Sequence, residues 1–423
     1  MKIIQVTNVD SFLAKIIPNQ PQKNYQIVQS ILDQVKKHGD SALKNYEKKF
    51  TGVNLVSFRV SPKEVKDSYN NVSKQEISAI NFAKNRLEKT ESKIKSMLKN
   101  QTINHDGIKI SKKFVPLQSV GCYIPGGLAK YPSSVIMSVV PAKVAGVKRI
   151  VVASPATYDG SIDPLTIVAS DICGVDEIYK VGGAQAIAAL SFGTRSISKV
   201  DKIVGPGGAF VTMAKSMVSN HTAIDMLAGP TELGIIADNS SNPLYVALDL
   251  ISQSEHSSDT FCYVITNSEK LAKSINFHLV ELMKTIKRSD LVKKSLKQNG
   301  FIAICKNSQK MVELANELAP EHLQIMTKNP QILASKITTP GLVLLGNDTP
   351  SSASDYLLGS NHILPTNGFG KTRGSLSVLD FIKINTQVRA TKSSLLQISK
   401  HLDVFTKAEG LPNHYEAVRR RLS

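Results

Sequence analysis

The chain has 423 residues and a mass of 46.0 kDa, 42% apolar and 20% charged, with a mean hydropathy of -0.08. That length exceeds one ordinary core and excludes a small disulfide scaffold, and the composition excludes a disordered or membrane-embedded chain. Lys plus Arg number 52 against 34 Asp plus Glu, a formal net charge of +18, but the lysines are spread along the chain and in the densest stretch, Lys84–Lys99, alternate with Glu88 and Glu91. They read as a solvated surface with some attraction for anionic small molecules, not as a nucleic-acid face.

Met1 to Pro18 carries Asp10 and Lys15 where a secretory signal would be apolar, so none is expected. Asn24 to Lys37 places Ile27, Val28, Ile31, Leu32 and Val35 on one helical face and stops at Gly39. Ser61-Pro62-Lys63-Glu64 is a capping box with proline at the first helical position, and Ser73 to Glu76 is another. The first hundred residues therefore read as helical. The longest apolar run, Ser133 to Val147, is broken by Pro141 and Lys143 and is too short to span a bilayer.

From about Val115 the texture changes. Strands are expected at Arg149–Ser154, Glu177–Val181 and Lys202–Val204, alternating with helices at Pro164–Cys173, Gln185–Phe192 and Ala209–Ser219. The pattern restarts with strands at Leu233–Ala237, Phe261–Thr266, Phe301–Cys305, Leu323–Met326 and Leu342–Leu345, and helices at Pro243–His256 and Ser268–Lys284. Two successive α/β units predict two doubly wound lobes of parallel sheet, with the crevice between or above them as the default ligand site. Phe381 to Ser423 shows no further alternation and reads as a helical tail.

Gly-rich turns stand at Pro125-Gly126-Gly127, Gly182-Gly183 and Gly205-Pro206-Gly207-Gly208. Each follows an expected strand, and the last two precede helices whose N-termini would receive a phosphate. None matches G-x-G-x-x-G, and tight strand-to-helix turns need glycine in any case. Gln253 and His256 stand three apart at a helix end, either as metal ligands or with the histidine serving the helix dipole. Glu321-His322 could supply two proton-transfer groups, and Asp355 with His362 could add further ligands. Glu409 and His414 look like ordinary surface. Cys122, Cys173, Cys262 and Cys305 form no C-x-x-C pair, which excludes a zinc ribbon and a redox dithiol and suits a reducing, cytoplasmic compartment.

Taken together, VGCYIPGG, VGGAQAIAALSFGT, GPGGAFVTMAK, AGPTELGIIAD, DLISQSEHSSD, LAPEHLQI, SDYLLGSNHILPT and AEGLPNHYEAV, running in order from Val120 to Val418, resemble the histidinol dehydrogenase family. The resemblance implies a zinc-dependent, NAD-linked homodimer that oxidises L-histidinol through L-histidinal to L-histidine, the last two steps of histidine biosynthesis. It implies zinc ligands at Gln253, His256, Asp355 and, from the other subunit, His414. It implies a proton-transfer pair at Glu321 and His322. Substrate contacts would fall on Thr231, His362 and Glu409 as well as on the ligands and His322, and cofactor contacts on Tyr123, Gln185 and the Gly208 position. Gly208 departs from the family's usual Asn, and Thr231 stands where many members have Ser.

The expected architecture is thus two Rossmann-like lobes, residues 115–232 on the NAD side and 233–380 carrying zinc and catalysis. An N-terminal helical region, 1–114, would pack on the second lobe, and a helical tail, 381–423, would dimerise. The rival readings are a same-scaffold dehydrogenase of another small alcohol, against which His362 and Glu409 speak, and a basic nucleic-acid binder, for which no recognition motif is present.

Overall fold

The computed structural model describes residues 1–16, 24–126 and 130–423. The strands are β1 (Lys2–Val6), β2 (Gln101–His105), β3 (Ile108–Pro116), β4 (Ser119–Tyr123), β5 (Arg149–Ser154), β6 (Glu177–Lys180), β7 (Lys202–Val204), β8 (Ala223–Ile224), β9 (Glu232–Ala237), β10 (Phe261–Thr266), β11 (Phe301–Cys305), β12 (His322–Met326), β13 (Leu342–Leu345) and β14 (Ile382–Arg389). They form two parallel sheets, ordered β6-β5-β4-β7-β8 and β1-β11-β10-β9-β12-β13, and one antiparallel sheet, β14-β3-β2.

The two parallel sheets share one winding. In each, the first strand of the unit is central, the next two lie to one side and the last two to the other. The order therefore reverses between β4 and β7 and between β9 and β12. Such a reversal opens a crevice at one end of a doubly wound sheet. Strands covered by helices on both faces must be apolar throughout. All six residues of β9 and all five of β11 and of β12 are buried, and separate apolar clusters flank each sheet.

Local signals set the helix ends as expected. Ser61 and Ser73 both close capping boxes, ahead of helices Pro62–Ser68 and Lys74–Ser96. Gly39 ends helix Tyr25–His38 with φ of 53°, a conformation that favours glycine. No helix among the described residues is long and apolar enough to cross a membrane. The stretch read for a signal holds β1 and helix Val9–Ile16, while its last two residues, 17 and 18, lie outside the described residues, as does Gly127 of the first glycine turn.

Three expectations need correction. The N-terminal region does not pack on the second lobe as a unit. β1 adds to the edge of the second sheet and helix Val9–Ile16 packs beside it, but helix Tyr25–His38 lays Val28, Ile31, Leu32 and Val35 on helix Gly183–Phe192, and helix Lys74–Ser96 packs on helix Pro132–Ala145, both in the first lobe. Residues 101–116 are a β-hairpin, turned by Asp106 and Gly107 at positive φ. The tail opens with β14, which pairs with β3 over eight residues. β14 is exposed on nearly every residue, so pairing and not burial defines it, and apolar periodicity carries no trace of it.

Glu91, 2% exposed in helix Lys74–Ser96, accepts the N–H of Val378 at 2.7 Å and so ties the approach to β14 to the first lobe. Burial, with Asp380 adding its charge, pushes Glu91 from about 4.5 up to about 7 despite that hydrogen bond. The native state then binds this proton more tightly than the unfolded chain, so its contribution to stability is lost as pH rises from about 4.5 to about 7. Glu91→Gln keeps an acceptor and should raise stability by about 1–3 kcal/mol at pH 8 while leaving it unchanged near pH 4. Calorimetric melting of both proteins across this range is the check.

Candidate active site

In the first lobe the crevice lies at the carboxyl ends of β4, β6 and β7. Tyr123 ends β4, is buried, and accepts the N–H of Gly183 on its hydroxyl oxygen at 3.1 Å. Gln185 is buried in the first turn of helix Gly183–Phe192 and donates to Oε1 of Glu47 at 3.0 Å. The same Glu47 oxygen accepts the N–H of Gly182 at 3.1 Å. Oε1 of Gln185 and Oε2 of Glu47 are buried without a hydrogen-bond partner among the described residues. Glu47 was not anticipated. It arrives on helix Asp40–Thr51, more than a hundred residues earlier, and no local pattern marks it. Burial pushes its pKa up, against the two bonds it accepts.

The third glycine turn is built by close approach. Gly205 has φ of 109°, and a Cβ there would lie 2.2 Å from the carbonyl oxygen of Tyr123. Beneath it Lys215 and Asp225 form a buried ion pair; Asp225 also accepts the N–H of Gly205 at 2.7 Å, and Lys215 donates to the Gly205 carbonyl at 2.8 Å. Gly208 caps helix Ala209–Val218 with φ of -67°, and a Cβ there meets nothing within 4 Å. The backbone and the space at this position would both accept a side chain.

In the second lobe the chemistry gathers at the amino ends of β9 and β12, where Thr231-Glu232 and Glu321-His322 lie side by side. His322, 2% exposed, has Nε2 3.3 Å from Oδ1 of Asp355 and Nδ1 3.7 Å from Oε2 of Glu321. Neither ring nitrogen makes an aligned hydrogen bond among the described residues. Burial disfavours the imidazolium, but Glu321 and Asp355 outweigh it and lift the pKa to about 10. Asp355 is held low, because His322, His362 and His256 outweigh its burial.

His362 sets Nδ1 2.6 Å from the carbonyl oxygen of Asp355; a carbonyl only accepts, so Nδ1 carries the hydrogen. Burial lowers its pKa. The segment bearing His362 is stitched to the first lobe by Asn361, which donates to the Met137 carbonyl at 2.7 Å, and by Thr366, whose hydroxyl accepts the N–H of Gly229 at 2.5 Å. Gln253 is buried in the last turn of helix Pro243–Ser254, which packs on the short helix Ser351–Ser354 ahead of Asp355. That helix ends two residues earlier than expected. His256 lies just beyond it, exposed, and its N–H still reaches the Gln253 carbonyl at 3.3 Å.

The structure thus gathers Thr231, Gln253, His256, Glu321, His322, Asp355 and His362 in one lobe, and Tyr123, Gln185 and Gly208 in the other. It does not bring Glu409 and His414 to them. Both are exposed at the junction of the tail helices Lys392–Ala408 and Pro412–Leu422, and neither side chain makes a hydrogen bond or ion pair among the described residues. Nor do three His, Cys, Asp or Glu of this one chain form a metal-ready cluster among the described residues.

Two parallel α/β lobes of matching winding, one with a glycine-lined crevice and the other with a histidine–carboxylate cluster, mark the class as a two-lobed α/β enzyme. The family model described as histidinol dehydrogenase matches residues 18–422. Histidinol dehydrogenase of Methanocaldococcus jannaschii is 43% identical over 96% of this chain and 95% of its own length, and that of Methanococcus maripaludis 45% identical over 94% and 93%. The crystal structure of histidinol dehydrogenase from Elizabethkingia anophelis superposes with a TM-score of 0.94 at 34% identity, over 100% of this chain and 98% of that one. The chain belongs to the histidinol dehydrogenase family and is an oxidoreductase.

The Lys215–Asp225 pair supports the third glycine turn from below, and its two side chains are 2% and 0% exposed. Lys215→Met leaves Asp225 as a buried charge without its partner, which should cost about 3–5 kcal/mol of folding stability. Denaturant unfolding monitored by circular dichroism measures it.

Proposed function

We propose that the protein oxidises L-histidinol through L-histidinal to L-histidine as a zinc-dependent, NAD-linked homodimer of the cytoplasm. The reading is carried by the gathering of Gln253, His256, Asp355, His322, His362 and Glu321 at one end of the second lobe, in a chain whose family match runs from residue 18 to 422. The donor set suits zinc. Gln253 and Asp355 offer oxygens, His256 an accessible imidazole, and Asp355 is kept ionised by three histidines. A fourth ligand from another subunit, His414, agrees with its exposed place on the tail. Leu396, Val404 and Phe405 of the same tail, 62–67% exposed, support burial against a second copy. The first-lobe crevice suits a dinucleotide, with Tyr123 and Gln185 in its wall and a helix N-terminus at Gly208. Four free, buried cysteines agree with a reducing compartment.

When bound, zinc orients the substrate and polarises its oxygen, and NAD takes up a hydride in each oxidation. His322 takes the hydroxyl proton of the alcohol. Glu321 and Asp355 favour the protonated form of its imidazole; engaging Asp355 as a metal ligand would weaken that pull and leave His322 better able to act as a base. Glu321 takes a proton from the water that adds to the aldehyde while His322 returns the one it took to the aldehyde oxygen, giving the hydrate oxidised in the second step. His362, its Nδ1–H fixed by Asp355, presents Nε2 to the substrate.

Two NADH should form per histidinol, turnover should stop on chelation, and zinc should restore it. In the same assay Glu321→Gln should slow histidinal oxidation about tenfold or more and alcohol oxidation far less, since the amide keeps size but takes no proton. Equal slowing of both half-reactions in single turnover would remove this role.

The shared site has its own test. His322→Ala and His414→Ala chains should each be inactive, while refolding the two together should restore about a quarter of the sites, because one site of each mixed dimer joins an intact body to an intact tail. No recovery despite demonstrated mixed dimers would place His414 outside its partner's site.

A further inference from the structure

Two glutamates clasp each other where β9 and β12 begin. The register that sets His322 beside Leu233 brings the preceding residues, Glu321 and Glu232, together. The N–H of Glu232 donates to Oε2 of Glu321 at 2.9 Å, and the N–H of Glu321 donates to Oε2 of Glu232 at 3.1 Å. Each carboxylate closes on the other residue's backbone, so neither can turn without breaking a buried, charge-assisted hydrogen bond.

The two are not equivalent. Oε1 of Glu232 accepts a further N–H, from Asn367 at 2.9 Å, so this side chain ties together β9, β12 and the segment that follows His362. Glu321 spends Oε2 alone. Its Oε1 accepts no hydrogen bond among the described residues, and the side chain keeps 11% exposure, which leaves that oxygen to meet water or substrate.

We propose that Glu232 is a positioning residue of the aldehyde-oxidising step: it holds the Glu321 carboxylate with Oε1 free, and its own charge sets how readily Glu321 takes a proton. This rests on Glu321 being the base of that step. A glutamate serving only as a strand-end acceptor would be replaceable by an amide, but Gln has one accepting oxygen and would press its NH₂ against one of the two N–H donors. The titratable groups facing Glu232 are Glu321 just before β12, His322 at its start and Tyr263 on β10. Burial pushes Glu232 up to about 7, the Glu321 charge adding to this and the bonds from Asn367 and Glu321 opposing it.

The experiment compares Glu232→Gln, Glu321→Gln and the double variant, as zinc-loaded dimers with NAD, in each half-reaction. Glu232→Gln should lower kcat for histidinal oxidation about tenfold, leave KM within about twofold and move the acid limb of the pH profile to lower pH. Alcohol oxidation should fall less than about threefold, and in the Glu321→Gln background the substitution should add almost nothing. Glu232→Asp keeps the charge but falls short of the clasp, so it should lose kcat with the acid limb unmoved; it also carries the coupling test should Glu232→Gln fail to fold. Equal slowing of both half-reactions by Glu232→Gln, or an effect that multiplies with Glu321→Gln, overturns the proposal. If Glu321→Gln by itself slows both halves equally, its assignment as base falls, and the coupling alone then decides whether Glu232 acts through it.

Discussion

The parallel pairing of β9 with β12 is the constraint on which the site depends. These strands begin about ninety residues apart in sequence, and their register sets His322 beside Leu233 and Gln324 beside Ile235. A slip of one residue would turn His322 to the opposite face of the sheet and separate Glu321 from Glu232. That register is held by apolar burial along both strands, every residue of which lies in the core. Hydrophobic packing on the two faces of one sheet thus fixes the geometry of charged groups at its end, where side-chain flexibility alone would let like charges drift apart.

In the proposed site the second lobe contributes the amino ends of its strands, and the first the carboxyl ends of β4, β6 and β7. The lobes share a winding. The connections at Asn361 and Thr366 hold these ends in one neighbourhood. In the proposed function this arrangement separates two tasks. Backbone glycines and a helix N-terminus suit an anionic cofactor, while histidines and carboxylates suit metal binding and proton transfer.

Buried polar groups away from the reacting atoms hold the turns in shape. Glu47 fixes Gly182 and Gln185 from an N-terminal helix, and Lys215 with Asp225 fixes Gly205 from below. Each carries a desolvation cost that only a complete set of partners offsets. Glu47 keeps one oxygen without a partner among the described residues, and burial makes its carboxyl harder to ionise.

The strands from residue 149 to 345 apart from the two-residue β8, and the helices as far as Leu282, were legible because doubly wound sheets write them as buried apolar runs bounded by glycine, proline and capping residues, whereas the helices Ser289–Asn299, Ser308–Leu318 and Pro330–Ala334 were not read. Strands such as Arg149–Ser154 and Phe261–Thr266 come out with their bounds unchanged. Motif spelling likewise carried the family and pointed to the side chains of the proposed site. Other features were not legible, each for a physical reason. β14 is exposed and defined by its partner β3, so no burial period marks it. The N-terminal helices show an apolar face but not which lobe it covers, since non-polar packing is non-directional at the level of pattern. Glu47 and Glu232 read as ordinary acids until the chain brings distant N–H groups to their oxygens. Sequence by itself determined most elements of the two lobes and their alternation, because those follow from local periodicity. Only the tertiary structure decided which carboxylates are buried and clasped and which lobe each helix covers, because long-range register and desolvation exist only once the chain has closed on itself.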